Sequence, residues 1–182
     1  MRRIGITGGI GSGKSVVSRL LRIMGYSVYD TDSLEVVQKL SECFGRDIYH
    51  NGRLNRGLLS SRVFGESDKI VLLNSIVHTV VRFDFYRWSE SLNEEICFVE
   101  SAILYESRFD ELVDEVWTVT APEELRISRV RQRSGLTEEE IKKRMAAQLS
   151  EEEKQRRAAH IIWNDGNVSV IHRVLSLLKS LE

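Results

Sequence analysis

The sequence predicts a three-layer α/β fold built on a five-stranded parallel sheet. Three observations predict this class. Five short β-prone runs alternate with segments of helical periodicity, a glycine-rich loop joins the first run to the first helix, and polar side chains cluster where the runs end. Ligands of such sheets bind at the carboxyl ends of the strands, so we expect a site at one edge of the sheet.

The amino-terminal segment has the pattern of a strand–loop–helix–strand unit. Residues 2–7 are β-prone, and Gly25 follows the next helix as a stop signal. A second strand at 26–29 ends at the triplet Asp30-Thr31-Asp32. The apolar stripe of the intervening helix comprises Val16, Val17, Leu20, Leu21 and Met24. Such a unit favours parallel pairing with a right-handed crossover.

Residues 33–95 differ in character, because they contain no run that resembles a buried strand. One face of a long amphipathic helix is predicted by Leu73, Ile76, Val77, Val80, Val81, Phe85 and Trp88. We therefore expect a mostly helical insertion beside the sheet.

Strand-like runs resume at 96–101, 115–120 and 160–163. Between the last two, Pro122 marks one helix start, and the patterns from Thr137 and from Ser150 each match a capping box. The apolar face of a final helix comprises Ile171, Val174, Leu175, Leu178 and Leu181.

Composition narrows the class of protein. The 182 residues are 42% hydrophobic and 29% charged, as in an ordinary globular chain, and the net charge of −1 argues against a nucleic-acid partner. No apolar run approaches the roughly 20 residues that span a bilayer. Cys43 and Cys97 form no CxxC pair, and we expect Cys97, in an apolar run, to be a buried thiol. Reduced thiols fit a cytoplasmic protein.

The strongest motif is the glycine-rich loop 8–15, which matches G-x-x-x-x-G-K-S in full. Its glycines let backbone amides converge on a phosphate, Lys14 offers a positive charge, and Ser15 offers a hydroxyl to Mg²⁺. A chance glycine-rich turn is the alternative, but this loop follows a strand and opens a helix. The predicted nucleotide contacts are Gly9, Gly11, Ser12, Gly13, Lys14, Ser15 and Val16.

Seven stretches along the chain form a further pattern. They are Gly5–Ser15, Tyr29–Asp32, Gly52–Arg56, Leu73–His78, Ala102–Glu106, Arg144–Gln148 and Ile161–Asn164. In this order and spacing they resemble the dephospho-coenzyme A kinase family along nearly the whole chain.

The resemblance implies a P-loop NTPase fold with a nucleoside-monophosphate-kinase-like core at 1–32, 96–133 and 150–182. It also implies a helical coenzyme-binding domain at 33–95 and a small lid at 134–149. Gly135, between two predicted helices, is the expected flexible point of the lid. The implied reaction moves the γ-phosphoryl group of ATP to the ribose 3′-hydroxyl of dephospho-coenzyme A, the last step of coenzyme A synthesis.

Carboxylates at the strand ends are the candidate acids and bases. Asp32 is the candidate general base, because a carboxylate can take the proton of a ribose hydroxyl as the phosphoryl group arrives. An aspartate at this junction can also simply cap the next helix. Asp30 is a candidate for orienting water around Mg²⁺, and Glu100 for contacting that water or the substrate.

The remaining candidate site residues lie in or near the expected lid or are implied by the resemblance. Arg129 and Arg133 are catalytic candidates, because guanidinium groups stabilise the charge of a transferring phosphoryl group. Arg144 is a candidate for substrate binding, although the whole charged segment 126–157 also fits a solvated helical pair. The resemblance implies substrate binding by His78 and a position near the adenine of ATP for Asn164.

The chain departs from the family pattern at four positions, which are Val16, Thr79, Ala102 and His160. These departures concern local backbone geometry more than phosphate chemistry. Two other interpretations stay open. One is a P-loop kinase for a nucleoside or nucleotide, because residues 33–95 set the acceptor. The other is a nucleotide-binding module without turnover, although Lys14 and Asp32 are both present.

Overall fold

The computed structural model describes residues 1–29 and 81–181, and between them residues 41, 45–50, 53, 54, 58, 61 and 79. The chain divides into two compact units, one of residues 1–29 and 93–182 and the other of residues 30–92. Among the described residues, no helix has the length and apolar character that crossing a bilayer requires.

The strands in chain order are β1 (Arg2–Thr7), β2 (Ser27–Tyr29), β3 (Tyr49–His50), β4 (Arg53–Leu54), β5 (Ile96–Glu100), β6 (Glu115–Thr120) and β7 (His160–Trp163). The five longer strands form one sheet in the order β2-β5-β1-β6-β7, and every neighbouring pair is parallel. The predicted five-stranded parallel sheet is therefore confirmed.

The α-helices of the first unit are α1 (Lys14–Ile23), α2 (Glu123–Ser134), α3 (Glu138–Ala146), α4 (Glu151–Arg157) and α5 (Val170–Lys179). Helix α1 ends as its sequence predicts, because Gly25 takes a positive φ of 92° just beyond it. The capping box at Thr137 is present, and the Ser150 hydroxyl caps α4 by accepting from the amide of Glu153. The Glu153 carboxylate itself binds Arg156.

One face of the sheet packs against α1 and α5. The core cluster there comprises Ile4, Ile6, Val17, Leu21, Val28, Phe98, Trp117, Val119, Ile162, Val174 and Leu178. Alternate residues point to the other face, where the backbone of Gly5 lies against Leu104 and Val113. On that face the Thr118 hydroxyl donates to the carbonyl of Lys154 in α4. Both faces are covered, as expected for a parallel sheet.

Cys97 is the second residue of β5 and is fully buried, as its apolar neighbours predict. Burial raises the pKa of its thiol to about 11. The side chain therefore stays protonated near neutral pH and packs as a small apolar group.

In the second unit, residues 81–91 are helical, and the predicted apolar stripe is visible because Val81 and Phe85 are buried. The members of this stripe from Leu73 to Val80 lie outside the described residues. The short antiparallel pair β3–β4 was not predicted, because two residues are too few to show the alternation of a strand.

Candidate active site

The glycine-rich loop connects the end of β1 to the start of α1. Positive φ angles occur at Gly8 (144°), Gly11 (81°) and Gly13 (98°). A Cβ on Gly8 would collide with the carbonyl of Val119, and one on Gly13 would collide with the Asn164 side-chain amide. These positions therefore require glycine both for their backbone angles and for the close approach of their neighbours.

The start of α1 is an electropositive end. The amides of Lys14 and Ser15 have no partner within the helix, whereas those of Val16 and Val17 donate to the carbonyl of Gly13, and no acidic side chain lies in the first turn. Helix starts of this kind bind anions, phosphate in particular, because free amides and the helix dipole act together.

Lys14 lies beneath the loop with only 9% of its surface exposed. Its Nζ donates to the carbonyl oxygens of Gly8 at 2.9 Å and Gly9 at 3.3 Å. Burial lowers the pKa of Lys14 from 10.5 to about 8. The loop thus holds a cation that is only partly compensated until an anion arrives.

Four charged side chains also act on Lys14. After burial, the largest influence on its pKa is the carboxylate of Glu100, which raises it, and Glu151 raises it as well. The positive charges of Lys154 and Arg133 lower the pKa. Two carboxylates and two cations from β5, α2 and α4 therefore act on the lysine of the loop.

Glu100 ends β5, which pairs with β1 so that Glu100 lies beside Ile6. Its Oε1 accepts a hydrogen bond of 3.3 Å from the Ser15 hydroxyl. A hydroxyl and a carboxylate oxygen are the ligand types that Mg²⁺ prefers. Among the residues that the structure describes, no three His, Cys, Asp or Glu side chains form a metal site of their own.

Arg129 and Asn164 bind the outer side of the loop. The Nη1 of Arg129 donates to the carbonyls of Gly11 and Ser12, both at 3.5 Å, and its Nη2 donates to the Asn164 carbonyl at 2.9 Å. The Asn164 side-chain amide donates to the Ser12 carbonyl at 2.8 Å. Both residues therefore lie next to the loop, and both contact its carbonyls.

Arg133 and Arg144 are both exposed, but on different helices. Arg133 is near the end of α2, and within the described part of the chain its side chain has no hydrogen bond or ion pair. Arg144 lies on α3, near Glu140. Hydrogen bonds from the backbone and side chain of Thr137 lower the pKa of Glu140, and the charge of Arg144 adds to them. Of these two arginines, Arg133 is the one whose charge reaches Lys14.

Three further candidates, Asp30, Asp32 and His78, lie outside the described residues. Strand β2 ends at Tyr29, immediately before Asp30, and pairs there with Val99 of β5.

Sequence reasoning missed a buried ion pair above the loop. Arg126 Nη1 and Glu151 Oε1 are 3.0 Å apart, and both groups occupy the space where a Cβ on Gly9 would lie. The Thr120 hydroxyl donates to the other oxygen of Glu151 at 2.9 Å. Arg126 is only 6% exposed, whereas its charged neighbourhood in the sequence suggested a solvated helix. No local pattern signals a pair so far apart along the chain.

Lys154 was missed for the same reason. It is fully buried on α4, where its Nζ donates to the carbonyl of Ala102 at 3.0 Å and lies 3.4 Å from Glu106 Oε1. A buried lysine needs such partners. They come from the segment after β5, more than forty residues away.

A glycine-rich loop that opens a helix, with a buried lysine beneath it, suits the phosphate chain of a nucleotide. The position of this loop after the first strand of an all-parallel sheet makes this protein a P-loop nucleotide-binding protein.

The model of the dephospho-CoA kinase family matches residues 2–169. The chain belongs to this family. It is an enzyme, a kinase, and the reaction of its family is the ATP-dependent phosphorylation of dephospho-coenzyme A to coenzyme A, the last step of coenzyme A biosynthesis.

Individual relatives agree with the family match. A dephospho-CoA kinase of Bacteroides fragilis is 41% identical over 189 residues, which cover 98% of this chain and 92% of the relative. One from Porphyromonas gingivalis is 38% identical over 191 residues, covering 100% and 95%.

Solved structures have the same fold. TT1252 from Thermus thermophilus is 34% identical with a TM-score of 0.84, covering 99% of this chain and 97% of that one. A shikimate kinase from Bacteroides thetaiotaomicron has a TM-score of 0.56 at 17% identity, covering 99% and 97%, and this likeness concerns the fold alone.

Proposed function

We propose that this chain transfers the γ-phosphoryl group of ATP to the ribose 3′-hydroxyl of dephospho-coenzyme A, with the loop 8–15 as the triphosphate site. The observation that carries the proposal is the buried Lys14, whose Nζ lies on the carbonyls of Gly8 and Gly9 beside the electropositive start of α1. A bound triphosphate would give this desolvated cation its missing counter-charge.

Arg133 and Arg129 have different proposed roles. Arg133 is exposed, has no partner in the described part of the chain, and acts electrostatically on Lys14, which supports direct stabilisation of the transferring phosphoryl group. Arg129 binds the carbonyls of Gly11 and Ser12, which supports a role in shaping the loop and the adjoining nucleotide site together with Asn164.

The metal ligands proposed in the chain are Ser15, directly, and Glu100, directly or through water. Their 3.3 Å contact supports this, since both contribute hard oxygen atoms at one point. When bound, Mg²⁺ neutralises part of the charge on the phosphate oxygens. Asp30 is proposed to orient water around the metal ion.

Asp32 is proposed as the general base. In the transfer step its carboxylate takes the proton of the 3′-hydroxyl, the hydroxyl oxygen forms a bond to the γ-phosphorus, and the bond to the β–γ bridging oxygen breaks to release ADP. Support comes from the sequence, in which Asp32 follows the strand that ends at Tyr29.

The domain roles are proposed from the sequence in the same way. Residues 1–32, 96–133 and 150–182 form the nucleotide-binding core, residues 33–95 bind the coenzyme with His78, and residues 134–149 form a lid that contributes Arg144. A lid has a physical purpose here, because an open site would let water compete with the acceptor for the phosphoryl group.

The binding partners and the cellular location of the enzyme are also proposals. The net charge of −1 supports small phosphorylated partners rather than nucleic acid, and the buried, reduced Cys97 supports a cytoplasmic location.

We expect ATP binding to weaken as the pH rises above 8. The pKa of Lys14 in the free protein is about 8, and a bound triphosphate restores the charged form, so above pH 8 binding must be accompanied by proton uptake. The Kd for ATP should increase about fivefold from pH 8 to pH 9, beyond the range in which phosphate itself titrates. Calorimetric titration in buffers of different ionisation enthalpy measures both the Kd and the proton uptake.

Lys14→Arg is the matched control for the pH experiment, since a guanidinium stays charged over this range. Its Kd for ATP should not change between pH 8 and pH 9. A wild-type Kd that is equally constant would contradict the assignment of Lys14 to the triphosphate.

An acceptor panel tests the reaction itself. Purified enzyme is incubated with MgATP and dephospho-coenzyme A, AMP, other nucleoside monophosphates or nucleosides, with Lys14→Ala as the control for contaminating kinases. Dephospho-coenzyme A should be by far the best acceptor, and ³¹P NMR should locate the new phosphate on the 3′-oxygen. Faster phosphorylation of a nucleotide or nucleoside would refute the proposed acceptor.

A further inference from the structure

Gln148 lies just beyond α3 and connects two parts of the first unit. Its Oε1 accepts a hydrogen bond of 2.9 Å from the backbone amide of Ile10, inside the glycine-rich loop. Its Nε2 donates to the carbonyl of Ala102 at 3.4 Å. One side chain therefore joins the loop to the segment that follows β5.

The side chain of Ile10 makes a second, independent contact with the same helices. It packs against a small core of Ile127, Val130 and Ile141, which come from α2 and α3. Ile141 is fully buried. The backbone of Ile10 is thus held by Gln148 while its side chain is held by the helices on either side of Gly135.

The neighbours of Gln148 fix its position. Its own amide donates to the carbonyl of Met145 at 3.0 Å, and the amide of Leu149 donates to Glu106 Oε1 at 2.7 Å. The fully buried Lys154 contacts both Glu106 and the Ala102 carbonyl that Gln148 uses. Gln148 is therefore one member of an anchored set of contacts rather than a freely moving surface side chain.

We propose that Gln148 is a positioning residue, which holds the glycine-rich loop at Ile10 against the end of α3 so that the loop amides face the triphosphate. This inference rests on the proposed function of the loop. Loss of the contact should weaken ATP binding without affecting the acceptor, because a displacement of even 1 Å in a site of this kind is costly.

The test compares Gln148→Met, which keeps the length but loses both hydrogen bonds, with Gln148→Glu, which keeps only an acceptor for the Ile10 amide. Gln132→Met on the exposed side of α2 is the matched control. KM is measured for each substrate with the other saturating, and the melting temperature is measured with and without ATP.

We expect Gln148→Met to raise the KM for ATP about three- to tenfold, the range for loss of a hydrogen bond, with the KM for dephospho-coenzyme A within about twofold of wild type. Its melting-temperature increase on ATP addition should be smaller than that of wild type. Gln148→Glu should have an intermediate KM for ATP, and Gln132→Met should equal wild type.

An unchanged KM for ATP in a folded Gln148→Met would overturn the proposal, as would equal increases in both KM values or equal effects of Met and Glu. Should Gln148→Met unfold at the assay temperature, Gln148→Asn, whose shorter side chain cannot reach the Ile10 amide, is measured in the same way, and an unchanged KM for ATP there also overturns it. Inactive wild-type enzyme would instead refute the proposed function, so the two failures are distinguishable.

Discussion

Replacing Lys14 with methionine is expected to lower kcat for coenzyme A formation by on the order of a thousandfold, the loss found when a charged group that stabilises a phosphoryl transition state is removed. The methionine side chain is about as long as that of lysine but is apolar, so it suits the buried space beneath Gly8 and Gly9. Steady-state kinetics with dephospho-coenzyme A as acceptor measures the loss.

The melting temperature of Lys14→Met shows whether a low kcat comes from the missing charge or from unfolding. Because the pKa of Lys14 falls from 10.5 to about 8 on folding, the charged lysine destabilises the free protein at pH 7 by on the order of 3 kcal/mol, and this cost disappears as the pH rises from 8 to 10.5. The variant should therefore melt no lower than wild type. Near-normal kcat in a folded Lys14→Met would remove the lysine from the mechanism.

Replacing Asp32 with asparagine is expected to lower kcat by about a hundredfold to ten-thousandfold, the usual contribution of a general base. The Kd for ATP should stay within about twofold of wild type, because the carboxylate acts on the acceptor hydroxyl and not on the triphosphate. Single-turnover kinetics and calorimetric ATP titration measure the two quantities separately.

The same variant distinguishes catalysis from helix capping at Asp32. Asparagine caps a helix about as well as aspartate, so a residue that only caps would tolerate the change with little loss of turnover. Asp30→Asn is the neighbouring control and should have the smaller effect on kcat. If Asp32→Asn kept most of the wild-type turnover, another group would have to accept the proton.

Local patterns in the sequence were enough to predict the main helices and strands of the first unit, residues 1–29 and 93–182. The loop from Gly8 to Ser15, the stop at Gly25 and the cap at Thr137 were all correct, because each depends on a few adjacent residues. The burial of Cys97 was predicted from its apolar neighbours in the same way.

The arrangement of charges around the loop could not be predicted. Arg126, Arg129 and Arg133 share one helix and look alike in the sequence, yet in the structure Arg126 forms a buried ion pair, Arg129 binds loop carbonyls and Arg133 is exposed. Their partners include Glu151 and Asn164, which belong to distant segments. Helical periodicity assigns faces to a helix but carries no information about which distant group each face meets.

By itself, therefore, the sequence determined the class of fold, the phosphate-binding loop and the family, since these depend on short motifs and on the order of elements along the chain. Only the tertiary structure decided the strand order, the burial of Lys14 and Lys154, and the contact between Ile10 and Gln148. The physical reason is that desolvation and hydrogen bonding between segments far apart in sequence arise only when packing brings those segments together.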